Sequence, residues 1–223
     1  MSKMALSQIV RKRMIDEMNM WDTFGTLISS GVPILQAIDI TRDSFPRFRS
    51  EMQVVHDDIK EGEMITSALN KYPDSFHPLI YPMIYVGEET GALPDMLLKG
   101  RDVIESDLAN GIDLRSQQKS SVLEKYAFLH CSATLVDAGL PLVKGLNVLA
   151  KIPYLSGMKE TIVAMREDIE SGFTFSETMA SKGQNYFDKI DVNMIRAGEA
   201  GGVLDVTMMR LADYTRRRDI IKR

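Results

Sequence analysis

The side chains best placed for chemistry are two glutamates set between glycines. Glu88 lies in Gly87-Glu88-Glu89-Thr90-Gly91, and Glu199 in Gly198-Glu199-Ala200-Gly201-Gly202. Glycine permits tight backbone, and a carboxylate beside it can complement a helix N-terminus, face a partner, or offer oxygens to a hard cation such as calcium. The simplest reading is a helix–turn–helix corner whose glutamates sit near a helix N-terminus and offset its dipole. One carboxylate per corner falls short of the roughly six to eight oxygens calcium takes, so no metal and no cofactor are predicted.

Other reactive groups are sparse. His56, His77 and His130 have no zinc-site spacing, and Cys131 points to a different side of any helix from its neighbour His130. Being single, Cys131 excludes an internal disulfide. Among Ala127, Phe128, Leu129 and Ala133 it reads as a small buried hydrophobe in a reducing compartment. No phosphate-binding Gly-x-x-x-x-Gly-Lys-Ser/Thr loop occurs, so any ATP would be bound by a partner. Nor is there a nucleophile elbow, and the chain is predicted not to be an enzyme. A nucleophile–histidine–carboxylate set needs only to meet in space, so that reading would require a cleft of perturbed titratable groups.

The glutamate corners are one of three blocks that occur twice. Thr26 to Ile38 returns as Thr134 to Leu146, Asp58-Ile59-Lys60-Glu61-Gly62 as Asp168-Ile169-Glu170-Ser171-Gly172, and Met83 to Leu93 as Met194 to Leu204. The offsets are 108 for Gly31 to Gly139, 110 for Gly62 to Gly172 and 111 for Gly87 to Gly198. A period above the roughly 20–50 residues of solenoid repeats implies a whole domain per copy.

Each copy reads as helical. Residues 8–30 place Met14, Met18, Trp21, Leu27 and Ile28 along one side. Ser30-Gly31-Val32-Pro33 breaks that helix, glycine ending it and Pro33 suiting the first turn of the next, with Ile34, Leu35, Ile38 and Ile40 inward. The second copy repeats this with Tyr126, Leu129, Ala133 and Val136, the corner Gly139-Leu140-Pro141, then Leu142, Leu146 and Leu149. A third helix (Met52, Val55, Ile59) and a short fourth (Ile65, Ala68, Leu69) have counterparts in Ile162, Met165, Ile169 and in Phe175, Thr178, Met179. With strand signals scarce, the expected class is all-α: two tandem homologous bundles of five or six antiparallel helices each, over 1–111 and 122–223. The polar, aperiodic stretch 112–121 reads as a linker.

At 44% hydrophobic and 26% charged, the 223 residues have material for two cores. The charge-free run Thr23 to Ile38 is too short for a membrane span, and no apolar leader precedes Trp21, so the chain as given is expected to be water-soluble. Residues 1–110 carry 11 basic and 17 acidic side chains, and residues 111–223 carry 16 and 14, so the copies face their surroundings with opposite net charge. The Gly-x-Pro corner superficially resembles a helix-turn-helix, but net acidity and an apolar second helix argue against nucleic acid. Most of the 15 methionines read as core filler, with Met96, Met208 and Met209 as candidates for exposure.

The pair Leu-x-Ser/Asp-x-Gly-φ-Pro-φ and Gly-Glu-x-x-Gly-x-Leu, where φ is any apolar residue, is present in both copies. It resembles the type II secretion F domain, found in polytopic inner-membrane platform proteins of type II secretion systems and type IV pilus machines. The resemblance rests on Gly31, Pro33, Gly87, Glu88 and Gly91, and on Gly139, Pro141, Gly198, Glu199 and Gly202. It implies all-α cytoplasmic domains separated by membrane spans, with calcium associated with this glutamate in some members. Here the linker falls where those spans lie, and the end of the chain falls where a last span would begin. Arg216, Arg217, Arg218, Lys222 and Arg223 at that end fit the basic cytoplasmic flank of a span.

The function this implies is mechanical: the cytoplasmic part of a platform protein, at the cytoplasmic face of the bacterial inner membrane, with no catalytic chemistry of its own. The implied partners are a hexameric assembly ATPase, pilin or pseudopilin, and other inner-membrane assembly proteins, in a homo-oligomer. The alternative reading is a soluble helical scaffold or adaptor with two similar binding domains.

Overall fold

Glycine in the left-handed region ends a helix cheaply because it has no Cβ to clash, and the duplicated chain uses it at three matching places in each copy, with Gly111 (φ 70°) as a fourth in the first. Gly31, Gly62 and Gly91 have φ of 83°, 90° and 74°, and Gly139, Gly172 and Gly202 have 82°, 99° and 66°. The bonding repeats with them. Val32 N–H reaches Leu27 O at 3.0 Å and Leu140 N–H reaches Leu135 O at 3.0 Å, while Glu63 and Phe173 reach back to Asp58 and Asp168. These are Schellman closures, and they divide each copy at the same places.

The structure is a computed structural model that describes residues 7–114 and 121–220, apart from the side chains of 219 and 220. The chain divides into two compact units, Met1–Gln117 and Gln118–Arg223. Unit 1 contains α1 (Gln8–Ser29), α2 (Ile34–Ser44), α3 (Arg49–Lys60), α4 (Ile65–Leu69), α5 (Ile80–Thr90) and α6 (Leu93–Asn110). Unit 2 repeats the order with α7 (Ser121–Asp137), α8 (Leu142–Leu149), α9 (Lys159–Glu170), α10 (Phe175–Ser181), α11 (Lys189–Gly201) and α12 (Leu204–Thr215). Among the described residues there is no strand, and no helix is long and apolar enough to cross a membrane. The all-α, tandem expectation holds.

In unit 1, α6 packs on α1 and α5; in unit 2, α12 packs on α7 and α11. The unit 1 core gathers Trp21, Phe48 and Phe76, with Trp21–Phe76 centroids 5.3 Å apart and Phe48–Phe76 stacked at 5.6 Å. Phe187 stands 111 residues beyond Phe76 and packs on Phe128 at 5.8 Å.

Several expected core positions shift by part of a turn. On α1 the buried line runs through Met14, Glu17, Met20, Trp21 and Phe24, while Met18, Leu27 and Ile28 are half-buried at the core's margin. Ile40 faces out and Ala37 and Thr41 face in, because the short α2 buries only one narrow stripe. Pro33 and Pro141 stand at the N-cap, one residue before the first helical position. Met96 and Met208 are buried, as core methionines. Of the stretch read as a linker, Ile112, Asp113 and Leu114 are buried, Gly111 and Ile112 closing the end of α6 through bonds to Leu108 and Asp107; α7 begins at Ser121, and 115–120 lie outside the described residues.

Candidate functional site

Each motif glutamate projects from the C-terminal half of one helix onto the N-terminus of another. Glu88, on α5, accepts the Ile65 N–H at 2.5 Å on Oε1, and the Thr66 N–H at 3.1 Å and Thr66 hydroxyl at 2.8 Å on Oε2. Glu199, on α11, accepts the Phe175 N–H at 2.6 Å and the Ser176 N–H at 3.1 Å. The helices capped are α4 and α10, and the first amides of a helix otherwise lack acceptors. The expectation of a glutamate near a helix N-terminus is therefore correct in kind, with a different address. The helix served is a separate short one, and the glutamate's own helix is near its C-terminal end, where a negative charge is unfavourable.

The flanking glycines explain how the side chain reaches. A methyl on Gly87 would stand 2.6 Å from the Leu93 Cα, and one on Gly198 would stand 2.5 Å from Thr207 Oγ1 and 2.7 Å from its Cβ. Only hydrogen fits where α5 meets the start of α6, or α11 meets α12. Gly91 and Gly202 then close the helices in the left-handed conformation, so the whole Gly-Glu-x-x-Gly motif sets one corner and points one carboxylate.

The two caps are not equal. α10 has its own capping box: the Thr174 hydroxyl accepts the Glu177 N–H at 3.3 Å and Glu177 accepts the Thr174 N–H at 2.8 Å. Those bonds to Thr174 hold the Glu177 carboxyl below its ordinary value. Met64 opens α4 with no side-chain cap, so α4 depends on Glu88 and Thr66. The receiving residues Thr66 and Ser176, both buried, were not singled out from the sequence. Their signal was two hydroxyls 110 residues apart, each just inside a short helix.

A second set of charges lies inside the units. Glu17 in unit 1 is fully buried and accepts the His77 N–H at 2.6 Å and the Trp21 indole N–H at 3.4 Å. His77 Nε2 lies 3.2 Å from Asp107 Oδ2 with both side chains buried. Unit 2 buries an ion pair between Lys125 and Asp191. Cys131 is buried too, and desolvation pushes its thiol far up, out of the range of a nucleophile. Among the described residues no group of three or more His, Cys, Asp or Glu is arranged to hold a metal ion.

At the basic end, Arg216 pairs with Asp213 at 2.7 Å. Arg218 pairs with Asp188 at 3.3 Å and lies over the Tyr214 ring at 5.0 Å. Burial works to raise the Asp188 carboxyl, but the amides of Asp191 and Ile190, with Arg218, together hold it below its ordinary value. Arg217 is the exposed member of the three, its Nε donating to Asp213 O at 3.3 Å. Lys222 and Arg223 lie outside the described residues.

The sequence profile of the family described as "Type II secretion system (T2SS), protein F" matches residues 20–124 and, a second time, residues 128–223. The chain belongs to the type II secretion system protein F family. Each match includes the Gly-x-Pro and Gly-Glu corners of one copy. Similar proteins include the type IV pilus assembly protein PilC of Myxococcus xanthus, 37% identical over 90 residues, which are 40% of this chain and 21% of that protein. The type II secretion system protein F of Xanthomonas campestris is also 37% identical over 90 residues, covering 40% of this chain and 22% of its own length. PilC of Pseudomonas aeruginosa is 25% identical over 109 residues, 49% of this chain and 29% of that protein. The matched segments thus span about a fifth to under a third of these relatives' length.

Proposed function

We propose that this protein F family chain is the cytoplasmic part of an inner-membrane platform protein, coupling a hexameric assembly ATPase to the insertion of pilin or pseudopilin subunits. The observation that carries the reading is the family match over both units, together with relatives named for type IV pilus assembly and type II secretion. The coupling is mechanical and needs no catalytic group in this chain. Nucleotide is bound by the ATPase, and the two units transmit its movement to membrane segments at the cytoplasmic face, as part of a homo-oligomer.

Burial and exposure support a division of roles within that reading. The Gly31-x-Pro33, Gly139-x-Pro141 and Gly-Glu corners are the rigid frame, since their backbone and carboxylates are engaged inside the units. Partner contact belongs to exposed charge: the acidic first unit, and Arg217 at the basic end. Electrostatic complementarity of this kind sets orientation and association rate more than affinity.

The deciding experiment is binding of the purified chain to the assembly ATPase of its own operon, with and without nucleotide, by sedimentation. The expected result is binding that changes with nucleotide state and weakens in Arg217→Glu. No binding by the folded chain, nor by a full-length form, would overturn the reading.

A further inference from the structure

A cavity of about 290 Å³ opens in unit 2 between the end of α8, the 3₁₀ turn Pro153–Leu155 and one face of α9. Lys151, Lys159 and Arg166 line it, with the Asn147 amide and the Ser156 hydroxyl, and no carboxylate is among its lining residues. Arg166 is held in place: its Nη1 donates to Asn147 Oδ1 at 2.6 Å. Its Nε is buried without a hydrogen-bond partner. Its Nη2 donates to Glu167 Oε1 at 3.3 Å and its Nε lies 3.8 Å from Glu170 Oε1, but those side chains are 62% and 49% exposed, so both pairs are screened by water. α9 itself opens at Met158 with no side-chain cap and carries Glu160 in its first turn, so the site does not rest on its dipole.

Unit 1 supplies an internal control. By the offsets of 108 and 110, Asn147, Lys151 and Arg166 stand where unit 1 has Asp39, Asp43 and His56. There the charges close on themselves. Arg42 pairs with Asp39 at 2.8 Å and Asp43 at 3.2 Å, and His56 lies 3.7 Å from Asp39. In unit 2 one carboxylate has become an amide and the other an ammonium, Arg42 has become Ala150, and the imidazole has become a guanidinium. Three cations around one opening repel each other; Glu167 and Glu170, the acids that pair with Arg166, lie outside the lining, and no carboxylate of the cavity wall stands beside Lys151 or Lys159.

We propose that this cavity is a binding site for a phosphate group carried by a small molecule or a lipid headgroup. Arg166, pre-oriented by Asn147, presents planar N–H donors to the oxygens, and Lys151 and Lys159 add point charges at the rim. The volume is at the lower end for ligand pockets, suited to a phosphoryl group with a few attached atoms. The site is independent of the ATPase contact proposed above.

The test uses the whole chain and two probes: sodium pyrophosphate by isothermal titration calorimetry, and flotation with phosphatidylglycerol-containing or pure phosphatidylcholine vesicles. Pyrophosphate binding is expected to weaken with added salt, and to fall at least tenfold in Lys151→Glu/Lys159→Glu and in Arg166→Gln. Asp39→Asn in unit 1 should leave it unchanged. Both lysines are exposed, so the double variant should melt as wild type does. Binding to anionic vesicles alone, lost in the same variants, would support the site and assign the phosphate to a lipid headgroup. No heat with pyrophosphate, together with vesicle binding absent or indifferent to Lys151 and Lys159, would overturn the proposal.

Discussion

Glu17 and Lys125 stand 108 residues apart at the same turn of the first helix of their units, both buried and opposite in charge. Each serves the chain entering the fifth helix by a different route. In unit 1 Glu17 itself accepts the N–H of His77 at 2.6 Å. In unit 2 the equivalent N–H belongs to Asp188, and Asp191 of the same helix accepts it at 2.7 Å. Lys125 then neutralises Asp191, which stands where unit 1 has Ile80. The neighbouring pair is inverted as well: His77 and Asp107 correspond, at offset 111, to Asp188 and Arg218. One fold thus satisfies one backbone donor with two exchanged charge arrangements. What the duplication preserved is satisfaction of this N–H, buried in unit 1 and part-buried in unit 2; the sign of each partner was free to change as long as its neighbours changed with it.

The largest expected effect comes from breaking the unit 2 arrangement. Lys125→Ala leaves Asp191 charged and buried, and should cost about 3–5 kcal/mol in urea denaturation followed by circular dichroism. Glu17→Ala removes an acceptor from His77 and Trp21 and should cost less, about 1–3 kcal/mol. Trp21 is the single tryptophan and lies in unit 1, so its fluorescence isolates that transition. Equal losses in the two variants would break the claim that unit 2 depends on a true ion pair.

Next comes the corner. Gly87→Ala drives a methyl into the Leu93 backbone and should cost about 1–3 kcal/mol. Gly198→Ala meets only the Thr207 side chain and should be partly relieved by Thr207→Gly, whereas no side-chain change relieves Gly87→Ala. Relief of Gly87→Ala by trimming Leu93 would count against this geometry.

The cap glutamates should separate the units more finely. Glu88→Ala strips α4 of an acceptor it does not otherwise have, for about 2 kcal/mol, while Glu199→Ala leaves the Thr174–Glu177 box and should cost about 1 kcal/mol. Measuring each against its own unit's transition checks the order.

The smallest effect concerns acid. Asp188 has a folded value below its ordinary 3.8, so its contribution is complete above that value and disappears as pH falls through the lower folded one. The gap in melting temperature between wild type and Asp188→Asn should therefore hold from pH 7 to about 5 and close below about pH 4. A gap that persisted at pH 2 would mean Asp188 stabilises unit 2 by shape alone.

Much of the architecture was legible in the sequence because its signals are local. Gly31, Gly62 and Gly91 end helices through their own backbone, and apolar spacing around Trp21, Met52 and Ile65 needs only the helix period. The motif glutamates were legible as residues of consequence, since Gly87 and Gly91 frame one and Gly198 and Gly202 the other. Their targets were not: Ile65 and Thr66 precede Glu88 by 23 and 22 residues, and nothing local says which amides a carboxylate will meet. The basic end was legible as charge, but its division between Arg216 and Arg218, paired inside the unit, and exposed Arg217 depends on where Asp213 and Asp188 fall.

By itself, then, the sequence determined the duplication, the helical class and the corners, because repeats, helix periodicity and glycine conformations are written along the chain. Only the tertiary structure decided which charges are buried together and which helix each glutamate caps. Those are meetings between residues distant in sequence, where one displaced turn exchanges a core position for a surface one, as Ile40 and Thr41 show. It also decided that Lys151, Lys159 and Arg166 converge on one opening. Their charge could be counted from the sequence, but convergence requires α8 and α9 to be packed in place.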